Sequence, residues 1–343
     1  MKTYNTLFML VTVLTQVNSS LIARFQKWAE THSINITDPF KHYHIYSNWL
    51  NNDKYINETN SLNLTYILGH NAYSGYNSDE FFNLMGFITG RVKTNLRGLI
   101  HGESDLASLP SSVDWRAKGV VNQVQDQGQC GSCWAFSTIQ AVESASAIKY
   151  GILPKLSEQE LVDCDTLSNG GRDHGCNGGI MDNAFTWVGK NGGVCSESSY
   201  PYISGTTKNS GSCNLKSCSN VVHTSSTNHV DVLVNSDNAL MSALSQQPVA
   251  VAIEADQRTF QLYASGVFTG SCGTNLDHGV GLVGYGSMSS VDYYILRNSW
   301  GKTWGVEGYM YLGRGNDPTT GKPYNGGAGQ CGVLGEASYP LVN

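Results

Sequence analysis

The chain has 343 residues, 40% of them hydrophobic and only 14% charged, with 38 glycines and a net charge of −6. The negative balance weighs against a polyanion partner, so no nucleic acid is expected, and the apolar content weighs against a disordered chain. The length leaves room for two core-bearing units or one large two-lobed body.

Residues 1–20 read as a signal peptide. Lys2 gives a positive start, Leu7–Leu14 an apolar core, and Asn18, Ser19 and Ser20 a small polar end. That core is too short to span a bilayer, which takes roughly 20 residues. No other stretch is long and apolar enough, so the chain is expected to enter the secretory path without a membrane anchor. Residues 21–108 contain no cysteine and carry three glycosylation sequons, at Asn35, Asn57 and Asn63. Apolar spacing predicts helices over Phe25–His32 and Tyr43–Ile56. A cysteine-free leader before a cysteine-rich body marks a separate, removable segment. In Leu109-Pro-Ser-Ser-Val-Asp-Trp-Arg116, Pro110 disfavours helix and the serines are flexible, so a protease could cut just before it. Residues 109–343 would then form the mature unit.

The stretch Gln127-Gly-Gln-Cys-Gly-Ser-Cys-Trp-Ala-Phe-Ser137 places two cysteines three apart, followed by an apolar run. The second, Cys133, falls at the start of a helix predicted over Ser132–Ile148. Free N–H groups and the positive end of the helix dipole there favour a thiolate. Gln127, six residues upstream, could donate its amide to an anion forming beside that sulfur. All nine cysteines lie between Cys130 and Cys331. In an oxidising compartment an odd count leaves one free thiol or an intermolecular bond. Four bridges plus a free Cys133 suit a nucleophile that must stay reduced. Ser157 and Glu160 have capping-box spacing for a second helix, and Met181–Val188 is a third. After these come β-like runs at Pro248–Ile253, Gly279–Tyr285, Tyr293–Arg297 and Gly308–Leu312. A helical half followed by a β half makes an α+β body of two subdomains with a cleft between them.

Of nine histidines, only His278 stands at the start of an apolar strand, 145 residues after Cys133. Asn298 closes another strand, in Arg297-Asn-Ser-Trp-Gly-Lys-Thr-Trp-Gly305, 165 residues after it. His174, His223 and His229 lie in polar loops and read as surface residues. A thioredoxin-like redox pair would leave His278 and Asn298 without a role. A zinc half-site lacks a second Cys-x-x-Cys or a His-x-x-x-His.

Cys130-Gly-Ser-Cys-Trp134 with His278 and Asn298 downstream closely resembles the papain and cathepsin family of cysteine proteases. The resemblance is dense over 109–343 and loose over 21–108. The extra distance to Asn298 reflects added loop residues. The resemblance implies a papain-like fold, helical in its left half and β-barrel-like in its right, behind a helical inhibitory prosegment. It implies that Cys133 attacks a peptide carbonyl to form a thioester that water hydrolyses. His278 as imidazolium would hold the thiolate and protonate the leaving amine, with Asn298 orienting the ring and Trp300 shielding that contact. Gln127 and the Cys133 N–H would form the oxyanion hole. Gly131 joins the substrate-binding set, and Gly178-Gly179 would pair antiparallel with an extended peptide. Ile180, Met181, Ala252 and Leu276 match positions lining the pocket for the second residue before the cut, suited to Leu, Val or Phe. Glu336 aligns with the pocket floor, where it would admit Arg. No occluding insertion follows Gly179, so an endopeptidase is expected.

The resemblance also proposes bridges Cys130–Cys176, Cys164–Cys213 and Cys272–Cys331, leaving Cys195 and Cys218 able to pair with each other. In the prosegment, Trp49, Asn52, Ile56 and Asn60 fit a spaced family pattern, as do Gly69, Asn71 and Tyr73. Lys41 and Ile45 stand where Glu and Arg are expected, and Gly75 replaces an Asp. The missing carboxylates are expected to remove salt bridges, giving weaker inhibition or release at a milder pH. Implied partners are protein substrates, the chain's own prosegment and cystatin-like inhibitors; a monomer, with no metal or cofactor, is expected in a lysosome-like compartment or outside the cell. The competing readings are a non-catalytic relative that keeps the fold, and a thiol–disulfide oxidoreductase in which Cys130 and Cys133 are bridged.

Overall fold

The computed structural model describes residues 20–88 and 99–343, Ser217 excepted; all of the expected signal segment but Ser20 lies outside the described residues. Residues 20–31 form helix α1. Helix α2 spans Pro39–Asn60, longer at both ends than its apolar spacing predicts. Asp38 starts it by accepting the N–H groups of Phe40 and Lys41, and Pro39 occupies the first turn, where no N–H is needed. The two helices enclose a small core of Phe25, Trp28, Ala29 and Trp49. Phe25 meets Trp49 edge-on, ring centroids 5.7 Å apart.

Ion pairs in this segment depart from expectation. Asp53, outside the spaced pattern, is buried on α2 and takes both Arg24 and His70, the latter at 3.0 Å. The His70 ring also stacks on Trp49 at 4.5 Å. The carboxylate absent from one position is supplied from another, so the premise of an unbraced prosegment falls. Asn60 brackets Leu68, accepting its N–H and donating to its carbonyl, both at 2.9 Å. This pins strand β1 (Tyr66–Leu68) to α2. Helix α3 (Ser78–Phe82) follows behind an Asn77–Glu80 capping box.

The first half of the body holds α4 (Cys133–Tyr150), α5 (Glu158–Cys164), α6 (Met181–Asn191) and the single turn α7 (Ser204–Thr207). Every residue of α4 from Cys133 to Ala147 is buried, polar ones such as Gln140 and Glu143 included, because the helix packs against both halves of the body. It stops at Gly151, whose φ of 76° suits a residue without Cβ. Ser157 caps α5, but the expected capping box is only half formed. The Ser157 N–H already donates to the Cys195 carbonyl, so Glu160 turns instead to the Cys195 N–H at 2.7 Å and the Asn191 amide at 2.9 Å.

The β-rich half contains β4 (Ser226–Val232), α8 (Asp237–Gln246), β5 (Val249–Ile253), α9 (Arg258–Gln261), β6 (Tyr263–Phe268), β7 (His278–Met288), β8 (Val291–Arg297), β9 (Tyr309–Gly313) and β10 (Ala337–Val342). Earlier in the chain lie β2 (Leu99–His101) and β3 (Val113–Asp114). The sheet runs β1-β6-β9-β8-β7-β5-β10-β4-β2, with β3 beside β7. Both edge strands, β1 and β2, come from residues before 109. They pair antiparallel with β6 and parallel with β4, covering edges that would otherwise expose unpaired backbone. One core gathers around β7 and β8 (Leu282, Tyr285, Tyr294, Trp300, Trp304), another around α4–α6 (Trp134, Ile139, Leu161, Phe185). Four disulfides close, Cys130–Cys176, Cys164–Cys213, Cys195–Cys218 and Cys272–Cys331, and Cys133 is the free thiol. Each bridge contributes roughly 2–4 kcal/mol by restricting the unfolded chain. Since Cys130 bonds Cys176, the bridged-pair oxidoreductase is ruled out.

Candidate active site

Cys133 is the first residue of α4 and His278 the first of β7, so one element from each half delivers a candidate side chain to the seam. Both are fully buried. The Gly279 N–H donates to the Cys133 sulfur at 3.3 Å. His278 Nε2 lies 2.8 Å from Asn298 Oδ1, just beyond the end of β8, and Trp300 stacks on the imidazole with centroids 4.7 Å apart. The other ring nitrogen, Nδ1, is buried and has no hydrogen-bond partner. An imidazole held at one nitrogen and unengaged at the other is set to receive a thiol proton. Gln127 is held by Ser299, whose hydroxyl donates to Gln127 Oε1 at 2.6 Å and whose carbonyl accepts the Gln127 N–H at 2.8 Å. Sequence reasoning missed Ser299; its only signal was its place between Asn298 and Trp300.

The cleft is filled by the chain itself. The Leu84 carbonyl accepts from Gln127 Nε2 at 2.9 Å, taking the donor expected to serve an oxyanion. Gly86 passes so close to Gly131 that a Cβ would lie 2.0 Å from the Gly131 carbonyl oxygen, so only glycine fits. The Gly179 N–H donates to the Gly86 carbonyl at 3.0 Å, and the Ile88 N–H to the Gly179 carbonyl at 3.2 Å. Across the cleft, the Phe87 N–H donates to the Asp277 carbonyl at 2.9 Å. Phe87 runs parallel to Gly179 and packs on the cluster containing Met181 and Ala252, as does Leu276. Gly178 lies against Ile88. Ile180 and Glu336 are half-buried, and the Glu336 carbonyl accepts the Ala252 N–H at 2.9 Å.

Burial pushes the Cys133 thiol up to about 12, against the opposing N–H groups of Gly279, Gly86 and Trp134. Burial likewise pushes His278 down to about 4, against the hydrogen bond to Asn298. The covered pair is therefore a neutral thiol and a neutral imidazole. The helix start alone predicts a thiolate, but exclusion of water by residues 84–88 outweighs that preference.

Among the remaining histidines, His174 and His223 are exposed, His223 stacking on Tyr150. His229 departs from the surface expectation: it sits half-buried on β4, 3.8 Å from both Asp182 and Asp231. This trio is one of two groups among the described residues with a metal-compatible donor set; the other, Glu160 with Cys195 and Cys218, has its sulfurs in a disulfide.

The sequence pattern described as the papain family cysteine protease matches residues 109–341. Over 326 residues the chain is 42% identical to the KDEL-tailed cysteine endopeptidase CEP2 of Arabidopsis thaliana, covering 92% of this chain and 85% of that one. It is 40% identical to vignain of Vigna mungo over 332 residues, covering 94% and 86%. Among solved structures, a recombinant stem bromelain precursor superposes with a TM-score of 0.83 at 33% identity, covering 94% of this chain and 99% of that one. The digestive procathepsin L 3 of Tenebrio molitor larval midgut gives 0.79 at 34% identity, covering 94% and 99%.

Proposed function

The chain belongs to the papain family of cysteine proteases, and we propose that it is a secretory-path zymogen of an endopeptidase whose nucleophile is Cys133. The observation that carries the reading is the free Cys133 beside the Gly279 N–H, facing a strand pair that holds His278 against Asn298. In this reading residues 1–20 are the signal, 21–108 the inhibitory prosegment and 109–343 the mature enzyme.

Latency follows from the backbone direction of residues 84–88. They lie parallel to Gly179, the reverse of the antiparallel course proposed for a substrate, and Gly86 wedges against Gly131. Removing the prosegment returns water to the cleft, which relieves the burial that holds both groups neutral. The proton then passes from Cys133 to His278, giving the thiolate–imidazolium pair. The thiolate attacks a peptide carbonyl. Gln127 Nε2, freed from Leu84, and the Cys133 N–H stabilise the oxyanion; loss of one such donor costs about 2.7–4 kcal/mol in the transition state. His278 protonates the leaving amine, and water hydrolyses the thioester. Asn298 keeps the ring oriented while Trp300 covers that contact.

Phe87 and Leu276, both packed on the apolar cluster that contains Met181 and Ala252, support an apolar preference at the second residue before the cut. An ionised Glu336 would add tolerance for Arg. Four disulfides suit an oxidising compartment, lysosome-like or extracellular. Sugars at Asn35, Asn57 and Asn63, a monomeric state and inhibition by cystatin-like proteins complete the proposal.

Titration of the acid-activated enzyme with the epoxide inhibitor E-64, with mass mapping of the adduct, tests the reading. One equivalent on Cys133 is expected; a folded, prosegment-free protein that takes up none would mark a non-catalytic relative. A positional peptide library reads the pocket. Arg acceptance that disappears in Glu336→Ala is expected, and a library without Arg acceptance rejects the acidic floor.

A further inference from the structure

Behind the extended stretch 178–180, a short strand only in that Gly179 bridges to Phe87, lies a pair of acids that the proposed chemistry does not use. Asp165 follows α5, and Asp173 ends the loop that leads away from it. The Asp173 N–H donates to the Asp165 carbonyl at 3.0 Å. Both side chains are removed from solvent, at 0% and 2% residue exposure. One oxygen of each is satisfied: Asp165 Oδ1 accepts the Arg172 N–H at 3.0 Å, and Asp173 Oδ1 accepts the Ile180 N–H and the Asn183 amide, each at 3.1 Å. The second oxygen of each, Oδ2, is buried without a donor. The two acids are thus backbone neighbours, each with a buried oxygen that no donor reaches, and each bears on the other's ionisation. One proton held between two such oxygens would satisfy both at once.

The pair touches the cleft through Gly179. A Cβ on Gly179 would lie 2.5 Å from the Trp134 ring and 2.8 Å from the Asp173 carboxyl carbon. Strand 178–180 is thus clamped between the Trp134 indole on α4 and Asp173.

We propose that Asp165 and Asp173 share one proton, and that this proton is a positioning device that keeps strand 178–180 in register for substrate. Burial, then the Asp165 charge, pushes Asp173 up to about 9, while burial raises Asp165 as well. The charged groups whose field reaches the pair are Arg172 on the same loop and Lys190 on α6, both acting on Asp165. His174, next in the chain, is exposed, and Asn183 is the neutral neighbour from α6. Among the described residues neither carboxyl has an ion-pair partner within 4.0 Å. Since the folded state holds the proton more tightly than the unfolded one, the clamp is complete at acid pH and weakens as pH rises toward about 9. Loss of the proton leaves two adjacent buried charges beneath the strand.

The inference rests on the proposed pairing of substrate with Gly178-Gly179. Its test is the pH profile of KM and kcat for an extended peptide, in the acid-activated wild type, Asp173→Asn and Asp173→Ala. Wild-type KM is expected to rise severalfold between about pH 6 and 9, beyond any change in kcat. In Asp173→Asn the amide donates to Asp165 without a titratable proton and its carbonyl still accepts from Ile180, so KM should stay low and flat. Asp173→Ala should raise KM at every pH. An Asp173→Asn profile that follows the wild type, or sits high throughout like Asp173→Ala, overturns the proposal, as does a wild-type profile that shifts with EDTA, which would assign the pair to a cation.

Should the variants fail to fold, amide exchange in wild type with Cys133 capped as a methyl disulfide decides. Protection over 174–182 is expected to fall with rising pH while that over 134–148 holds, and parallel behaviour of the two segments rejects the shared proton. A pH-flat KM in an active wild type rejects this inference alone. An inactive wild type with pH-dependent protection at 174–182 rejects only the proposed function.

Discussion

Away from the Cys133–His278 pair, the prosegment and the enzyme body bury titratable groups of opposite kinds. In the prosegment, burial lowers His32 and His70 below the ordinary imidazole value of 6.5, although Asp53 pulls His70 the other way. In the body, burial raises Asp277 and Glu158 to about 7 and Asp173 to about 9. A lowered histidine binds fewer protons folded than unfolded. Its contribution is present above 6.5 and is lost as pH falls toward the folded value. A raised carboxylic acid does the reverse: its contribution is present below the ordinary carboxylate range and is lost as pH climbs toward 7 or 9. Acidification therefore loosens the prosegment while tightening the body at its buried acids, His278 being the body's exception. The two parts also differ in bulk, since the prosegment's own core is four residues with no disulfide, while the body has two large clusters and four bridges.

The comparison breaks most visibly at Trp49. Trp49→Ala empties the centre of the small core, a loss of about 3–5 kcal/mol for a buried aromatic. In a full-length Cys133→Ser chain, calorimetry should show the prosegment's transition gone and the body's unmoved; a common shift of both would mean the parts do not unfold separately. Next in size is Gly86→Ala, which sets a methyl group against the Gly131 carbonyl. Overpacking of this kind costs roughly 1–3 kcal/mol. Unprocessed enzyme should then leak activity at neutral pH by roughly tenfold or more, and a silent variant would show that Gly86 is not the wedge. The smallest effect is expected from His70→Gln, which keeps a donor for Asp53 but cannot titrate. The pH of half-maximal activation should move down, and an unchanged value would assign acid release to other groups.

The proposed reactive centre was legible because its signals are local. Cys133 announces itself through the turn and helix around it, and His278 and Asn298 through the strands they begin and end. The occupant of the cleft was not legible. Nothing in Leu84-Met-Gly-Phe-Ile88 distinguishes a segment that lies across the cleft from an ordinary loop, because its grip is made by backbone atoms and by the absence of a Cβ at Gly86. Asp53 escaped because its partners Arg24 and His70 are distant in sequence, so the missing carboxylates read as missing ion pairs. Half of the capping box failed at Glu160 for a similar reason: a tertiary partner, the Cys195 N–H, outcompeted the local one. Asp165 and Asp173 stand in a polar loop and look solvated until the fold closes over them.

The burial of Cys133 also bears on how the protein survives before it is used. Peroxide and disulfide exchange both act on thiolates that solvent can reach. A sulfur with a thiol pKa of about 12 and no exposure offers neither. In the folded precursor, with four bridges closed elsewhere in the chain, the ninth cysteine is withheld from oxidation and from disulfide exchange. The prosegment is in this sense a preservative as well as a lock, and the enzyme's working life in air begins only when that cover is cut away.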